Sequence, residues 1–442
     1  MSNWKTYYQE HKISADEAVS QIHSGDTLVF SHAAIEPSHI IQTLLAHKDR
    51  FRDIEIIHMV GQGPMEYCKP EYRENFHHNS FFASGGKTKT GFKEGYVDFT
   101  PCCLSQVADF LLNRIPKVDA FIGQVSPPDK HGYCSLGIDL TYERAGLNAA
   151  ETVIVEVNPN VPRVHGDTFV HVRDIDYFVE CGDPLIEIPR PRITETEMAL
   201  GRNCASLVED GATLQLGIGS LPDAICMFLK DKKDLGIHSE MISDGVMELM
   251  EAGIVNNSRK TLHRGKVVAA FAMGTRKLYD FMDDNPMFQL MDGAYVNDPL
   301  IIAQNENMVS INTCVEIDFS GQVASESVGS MQISGTGGQT DFVRGATKAK
   351  GGKSLMVLQS TAQGGRKSKI VPTLSEGTVV TLPRTDLDYV ITEFGIASMR
   401  GKSVRARAAE LIRLSHPSFY DELIAAWEGM FHQTFPRETL PQ

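Results

Sequence analysis

Apolar and polar positions along the first sixty residues change period three times. Between Ile13 and Ile22, Ala18, Val19 and Ile22 fall on one helical face behind a capping residue, Ser14. Gly25-Asp-Thr-Leu-Val-Phe30 then reads as turn and strand, and Ser31 to Pro37 as the next turn. Ile40 to Leu45 starts an apolar helical face. Ile54 to Ile57 is a second strand that runs into His58-Met-Val-Gly-Gln-Gly-Pro64.

The same order returns in the second half. Met198 to Val208 is helical, Gly211-Ala-Thr-Leu-Gln-Leu216 is a strand, Gly217 to Pro222 a turn, and Ile225 to Leu229 opens a helix. Leu235 to Ile237 is the second strand of this set. Gly25 precedes Pro37 by 12 positions and Gly211 precedes Pro222 by 11, and Gly-Asp-Thr-Leu resembles Gly-Ala-Thr-Leu. An internal duplication accounts for this spacing, and it predicts two related α/β domains with open sheets. The copies differ in chemistry: the second carries the loop glycines and Glu240, whereas the first has His58 and Gln62 in the corresponding region.

Further strands are predicted at Ala120 to Val125, Thr152 to Val157, Val267 to Phe271, Phe288 to Leu290, Met308 to Val315, Ser354 to Leu358, Val379 to Leu382 and Tyr389 to Ile391. Most are short and rich in apolar or β-branched residues, as strands buried in a layered domain are. Ser403 to Ile412 has helical spacing, with Arg405 or Arg407 on its outer face, and Trp427 is expected to be a packing residue. Gly182, Pro184, Pro189 and Pro191 break any long element between Cys181 and Arg192. Domains are therefore placed at 1–187 and 188–442.

Length and composition support this division. A chain of 442 residues exceeds what one core usually fills, and 42% apolar with 22% charged residues fits a globular protein. No apolar run approaches about 20 residues, so no membrane partner is expected. The N-terminus lacks an apolar signal core, which predicts a cytoplasmic chain. With 42 basic and 56 acidic residues the net charge is −14, which argues against nucleic acid but not against a small phosphate-bearing ligand. Eight scattered cysteines have neither disulfide density nor zinc-finger spacing, so free thiols and no metal are expected.

The chemistry centres on Leu235-Gly-Ile-His-Ser-Glu-Met-Ile-Ser-Asp-Gly245. Its apolar start and polar middle read as a buried strand that leaves its sheet at the polar cluster and turns toward a helix at Val246 to Met250. Ligands of open α/β sheets sit beyond strand ends. Glu240 is thus open to acid/base work or nucleophilic attack, and equally to capping the next helix or pairing with a surface cation. Gly217-Ile-Gly-Ser-Leu-Pro222 and Gly335-Thr-Gly-Gly-Gln-Thr-Asp341 are loops whose amides approach a ligand or merely make tight turns. Neither completes a dinucleotide or phosphate-loop fingerprint. Gly364-Gly-Arg-Lys-Ser-Lys369 reads as a flexible basic loop; Arg366, Lys367 and Lys369 either meet ligand phosphates or form a solvated charge run. Asn297 offers an amide after a buried segment, and Glu393 a second carboxylate at the end of Tyr389 to Thr392.

Together with Ile391-Thr-Glu-Phe-Gly-Ile-Ala-Ser-Met-Arg-Gly401, these motifs resemble the acetyl-CoA hydrolase/CoA-transferase family over nearly the whole chain, in particular its 4-hydroxybutyrate/butyrate:acetate CoA-transferase branch. The resemblance implies two CoA-transferase-type open-sheet α/β domains in a homodimer, with the active site between domains. It implies Glu240 as the nucleophile that becomes a glutamyl-CoA thioester, Gly338 as a backbone oxyanion donor, Asn297 as a side-chain donor and Glu393 as a second carboxylate. Gly217, Gly219, Gly335, Gly337, Gln339, Arg366, Lys367 and Lys369 are the candidates for holding CoA. First-domain loops at Ser31 to Glu36, Gly61 to Met65 and Phe82 to Gly86 would discriminate among substrates, with Ser31, His32 or Gln62 meeting a donor hydroxyl. The expected substrates are a short-chain acyl-CoA and a carboxylate, with CoA a substrate and transient covalent partner and no tightly bound cofactor. A short-chain acyl-CoA hydrolase or a noncatalytic acyl-CoA-binding protein are the alternatives.

Overall fold

A computed structural model of the chain describes residues 3–83, 87–115 and 117–440. It contains two compact units. The first comprises 1–189, 240–244 and 266–297, and the second 190–239, 245–265 and 298–442.

The first unit is built on a wholly parallel seven-stranded sheet. Its strands are β1 (Thr27–Phe30), β2 (Ile54–Ile57), β3 (Phe76–Ser80), β4 (Val97–Phe99), β5 (Val118–Val125), β6 (Ala150–Val157) and β7 (Tyr177–Glu180), in the order β4-β3-β2-β1-β5-β6-β7. Ser14 and Glu17 cap the helix Ala15–Val19 reciprocally. That helix and Ser38–Ala46 bury Ala18, Val19, Ile40 and Leu44 against Leu28, Phe30, Ile54, Ile56 and Ile122 of the sheet. Burial on both faces explains why these strands read as apolar runs instead of alternating.

The second unit repeats the plan. β8 (Thr213–Gln215) pairs in parallel with β9 (Gly236–Ile242) on one side and β12 (Met308–Thr313) on the other. β13 (Lys353–Val357) and β14 (Tyr389–Thr392) follow in parallel, and β15 (Gly395–Ser398) closes the edge antiparallel. The intervening strands β10 (Val267–Ala272) and β11 (Phe288–Leu290) form a parallel pair counted with the first unit. The order β9-β8-β12-β13-β14 matches β2-β1-β5-β6-β7, as a duplication requires. Register extends the match to single residues. Thr27 lies opposite Glu55 and Thr213 opposite Gly236, so four positions further on Met59 occupies the place of Glu240.

The helices of the second unit follow from local signals. Thr194 and Glu197 form a capping box at the start of Glu195–Ser206. Glu197 also accepts the Ser220 hydroxyl at the start of Ser220–Phe228. The two helices approach so closely that a Cβ on Gly201 would stand 2.9 Å from the Ala224 backbone. The helices Val404–Leu414 and Tyr420–Phe431 pack on the sheet through Leu411, Ile412, Leu423, Ile424 and Trp427.

Three expectations are corrected. The polar cluster after Ile237 does not leave the sheet: β9 continues to Ile242 because its other edge is hydrogen-bonded to the strand Val267–Ala272, and the Ser239 hydroxyl donates to the Leu216 carbonyl (3.0 Å) and accepts the Leu216 N–H (3.2 Å) where the ladder to β8 has ended. Val379 to Leu382 is not a strand. Val379 and Val380 are 43% and 39% exposed, and among the described residues the run forms one isolated bridge, Val323 to Leu382; β-branched residues with no pleated surface to pack on gain little from extension. The basic stretch after Gly364 is not a loose loop but the second arm of a hairpin, Thr361–Ala362 against Lys367–Ser368, turned by Gly364 and Gly365 at positive φ. Arg407 is also half-buried, its guanidinium on the Ser320 and Arg384 carbonyls, whereas Arg405 faces solvent. Among the described residues no helix is long and apolar enough to cross a membrane.

Trp427 is 3% exposed and its indole N–H reaches the Arg405 carbonyl at 3.2 Å. Trp427→Ala is expected to destabilise the protein by about 3–5 kcal/mol in a urea titration. A loss below about 1 kcal/mol would contradict its place in the core.

Candidate active site

Glu240 sits two residues before the end of β9, partly exposed between buried Ser239 and Met241. The strand's exit is fastened just beyond it. Asp244 accepts the Thr275 N–H (3.0 Å) and hydroxyl (2.5 Å), and the Met273 N–H donates to the Ile242 carbonyl. Only glycine fits at 274, where a Cβ would lie 2.3 Å from the Asp244 carboxylate.

Asn297 is the residue brought to Glu240. It is fully buried and its Nδ2 donates to Glu240 Oε2 at 2.8 Å. Local sequence explains its place. Asp292 caps the short helix Gly293–Val296, and Asn297 ends it with helical backbone angles. Asp298 then caps a new helix with Pro299 in its first turn. The amide thus follows one short capped helix and directly precedes the cap of the next, with its Oδ1 buried and lacking a hydrogen-bond partner among the described residues.

The other candidates lie in the second unit. Glu393 occupies the two-residue turn between β14 and β15, and its carboxylate accepts the Ser360 N–H (2.9 Å) and hydroxyl (2.6 Å). Gly335, Gly337 and Gly338 are buried; Gly337 is left-handed (φ 53°) and Gly338 is the N-cap of the helix Gln339–Lys348. Gln339 accepts from Ser325 and donates to the Thr313 carbonyl, both at 2.7 Å. Gly217 and Gly219 follow β8, and Gly219 (φ 117°) caps Ser220–Phe228. Arg366 and Lys367 are exposed on the hairpin, with Arg366 turned onto the Gln363 carbonyl, while Lys369 is half-buried. Among the described residues no group of three or more His, Cys, Asp or Glu side chains is disposed to hold a metal.

The first unit holds a buried acid cluster that sequence patterning missed. His32 Nδ1 lies 2.7 Å from Asp139 Oδ2, and Glu143 accepts the His32 and Tyr142 N–H groups at 2.8 and 3.0 Å. The His32 ring meets Phe271 edge-on at 4.8 Å. Burial lowers His32 to about 4 against the opposing pull of the Glu143 and Glu240 carboxylates, and raises Asp139 to about 7 and Glu143 to about 8. The available signal was three polar residues, Asp139, Thr141 and Glu143, spaced by two in an otherwise apolar stretch.

Loop 61–63 is gripped from both sides. Glu36 accepts the Gln62 and Gly63 N–H groups, while the Lys87 ammonium donates to the carbonyls of Gly61, Gln62 and Gly63. A Cβ on Gly63 would fall 1.9 Å from Glu36 Oε1. The Ser31 hydroxyl is committed to the Ile35 carbonyl. Residues 84–86 of the third expected specificity loop lie outside the described residues.

Residues 1–188 match the acetyl-CoA hydrolase/transferase N-terminal domain and residues 274–427 the acetyl-CoA hydrolase/transferase C-terminal domain. The chain is 50% identical over 428 residues to a 4-hydroxybutyrate coenzyme A transferase of Clostridium kluyveri, covering 97% of this chain and 100% of the relative. It is 37% identical to a butyryl-CoA:acetate CoA-transferase of Anaerostipes caccae, covering 96% and 97%. The crystal structure of a 4-hydroxybutyrate CoA-transferase from Porphyromonas gingivalis superposes with a TM-score of 0.83 at 36% identity, covering 97% of this chain and 100% of that one.

The buried cluster makes a pH prediction. A carboxyl with a raised folded-state pKa binds more protons folded than unfolded between its ordinary and raised values, so its contribution to stability is lost as pH rises across that interval. For Glu143 the interval runs from 4.5 to about 8, and for Asp139 from 3.8 to about 7. His32 has the opposite sign, but only between about 4 and 6.5. Above pH 6.5 the carboxyls act alone within the cluster. Glu143→Gln is therefore expected to gain stability relative to wild type as pH is raised from about 6.5 to 8 in paired urea titrations. A difference that stays constant or reverses would contradict the raised Glu143 pKa.

Proposed function

We propose that this chain, which belongs to the acetyl-CoA hydrolase/transferase family and is a CoA-transferase, moves CoA between 4-hydroxybutyryl-CoA or butyryl-CoA and acetate through covalent intermediates on Glu240. The observation that carries the proposal is the hydrogen bond from Asn297 to one oxygen of the Glu240 carboxylate. It places a donor on Oε2, the oxygen that takes up charge when the glutamyl carbonyl is attacked, and we assign the attack on substrate to Oε1.

Glu240 Oε1 adds to the acyl carbonyl of the donor thioester, the C–S bond breaks, and CoA departs as thiolate, leaving an acyl-glutamyl anhydride. The thiolate then adds to the Glu240 Cδ, the bond from Cδ to the bridging oxygen breaks, and the first acid leaves as carboxylate. What remains is a glutamyl-CoA thioester. An acetate oxygen attacks the same Cδ, CoA leaves again, and the thiolate attacks the acetyl carbonyl to give acetyl-CoA and free Glu240. Atoms and charge balance with no metal or redox partner in the scheme.

Each addition places negative charge on a carbonyl oxygen. In the two steps at Cδ that oxygen is Glu240 Oε2, on which Asn297 Nδ2 already rests. In the two steps at the substrate carbonyl we assign the Gly338 N–H. Donors placed before the charge develops stabilise the transition state without reorganising. Glu393 is assigned to orient groups around the nucleophile, and the glycine loops with Arg366, Lys367 and Lys369 to hold CoA. A cytoplasmic homodimer completes the proposal.

Steady-state assays with acetate against 4-hydroxybutyryl-, butyryl- and propionyl-CoA test the substrate assignment. Parallel double-reciprocal plots are expected, with both four-carbon donors outrunning propionyl-CoA. Equal rates for all three would refute the donor assignment, and CoA release that ignores acetate would identify a hydrolase. Asn297→Ala is expected to lower kcat by about 100-fold or more; a loss under about threefold would remove Asn297 from the oxyanion role.

A further inference from the structure

The glycine-rich loop that carries Gly338 cannot hold its own shape. Three of the four residues 335–338 are glycine, and Gly337 is in the left-handed region. Glycine gives up more conformational freedom on ordering than any other residue. An amide that is to meet a transient oxyanion must nevertheless be fixed beforehand, and a misplacement of about 1 Å costs on the order of 100-fold in rate.

The dipeptide Ser325-Glu326 supplies the missing constraint. The Glu326 carbonyl accepts the Ile333 and Ser334 N–H groups at 2.8 and 3.1 Å. Its carboxylate, 3% exposed, accepts the Thr336 hydroxyl at 3.3 Å, the Thr381 hydroxyl at 3.1 Å and the Gln332 amide at 3.4 Å. Gln332 also donates to the Ser334 carbonyl at 2.7 Å. On the far side of the glycines, Ser325 Oγ donates to Gln339, and the Thr340 hydroxyl donates to the Thr381 carbonyl at 3.1 Å. Gly337 and Gly338 therefore lie between two anchored flanks that both originate at residues 325–326. The carboxylate's partners are hydroxyls and an amide, a setting in which burying an acid costs more than burying a neutral side chain. Stability alone would favour a neutral residue there.

We propose that Glu326 is a positioning residue for the reaction: it sets the Gly335–Gly338 backbone so that the Gly338 N–H stands ready for the substrate oxyanion. The proposal rests on the assignment of Gly338 as that donor.

The test uses full-length Glu326→Ala, Glu326→Gln, Thr336→Val and Gly338→Pro, the last deleting the N–H itself. For each, kcat and KM are measured, together with the rate and final extent of Glu240 labelling by acyl-CoA without acceptor. Glu326→Ala is expected to lower kcat and the labelling rate by about 10- to 100-fold. KM for acyl-CoA should stay within about twofold and the final labelled fraction should be unchanged. Glu326→Gln, which keeps the shape and one acceptor oxygen, should recover much of the loss, and Thr336→Val should lose rate in the same pattern to a smaller degree. A folded Glu326→Ala with wild-type kcat overturns the proposal, as does a labelled fraction that falls in step with kcat, since that is the signature of a merely structural residue. If Glu326→Ala does not fold, Thr336→Val decides: a lower kcat at constant KM supports positioning, and an unchanged kcat overturns it. Gly338→Pro separates the two assignments. Wild-type kcat in that variant removes the oxyanion role of Gly338, and positioning with it. Loss of kcat there, with wild-type rates in the Glu326 and Thr336 variants, overturns positioning alone.

Discussion

The two oxygens of Glu240 are chemically equivalent in water, and the chemistry assigned to this chain requires that they cease to be. One must stay free to attack while the other accumulates charge when the glutamyl carbonyl is itself attacked. The fully buried Asn297 amide marks one of them with a donor, provided that both backbones are held in place. The remainder of the local structure can be understood as meeting that condition. β9 is held by its pairing with β10, by the Ser239 hydroxyl on Leu216 and, at its exit, by Asp244, while Asn297 stands between two aspartate caps, the second followed by a proline. A partly exposed carboxylate on such a strand stays accessible to a thioester at little cost in solvation, which a fully buried one would pay heavily.

Duplication supplied the scaffold twice, and the copies have diverged at the position that matters. Met59 stands where the second copy has Glu240, and its N–H faces the Tyr142 hydroxyl. Around it the first unit has accumulated buried polar groups, among them His32, Asp139 and Glu143, together with a loop gripped between Glu36 and Lys87. The turn after the first strand carries a positive φ at the same position in both copies, but not the same conformation: 52° at Ala33 and 117° at Gly219.

Much of this was legible in the residue pattern. Strand and helix positions followed from apolar period, and the duplication from the Gly-x-Thr-Leu spacing, because buried parallel strands must be apolar runs and their turns must carry glycine or proline. The polar end of β9 was misread since His238, Ser239 and Glu240 look like a turn in one dimension; pairing with β10, about 30 positions further along the chain, makes them a strand. Val379 to Leu382 failed for the converse reason, propensity without a surface to pack against. The pairing of Asn297 with Glu240 spans 57 positions and has no sequence signature. Ser360 and Glu326 had no signal for the same reason, and the spacing of Asp139, Thr141 and Glu143 did not tie them to His32: each is an ordinary polar residue until the fold brings its partners.

The central claim is that Glu240 itself carries CoA, and trapping that species tests it most directly. The protein is incubated with butyryl-CoA in the absence of acetate, quenched in acid to preserve thioesters, digested and mapped by peptide mass spectrometry. The account predicts a CoA adduct on the peptide containing Glu240, discharged when acetate is added before the quench and missing from Glu240→Gln. A CoA adduct confined to a cysteine, or full turnover by folded Glu240→Gln, would contradict it.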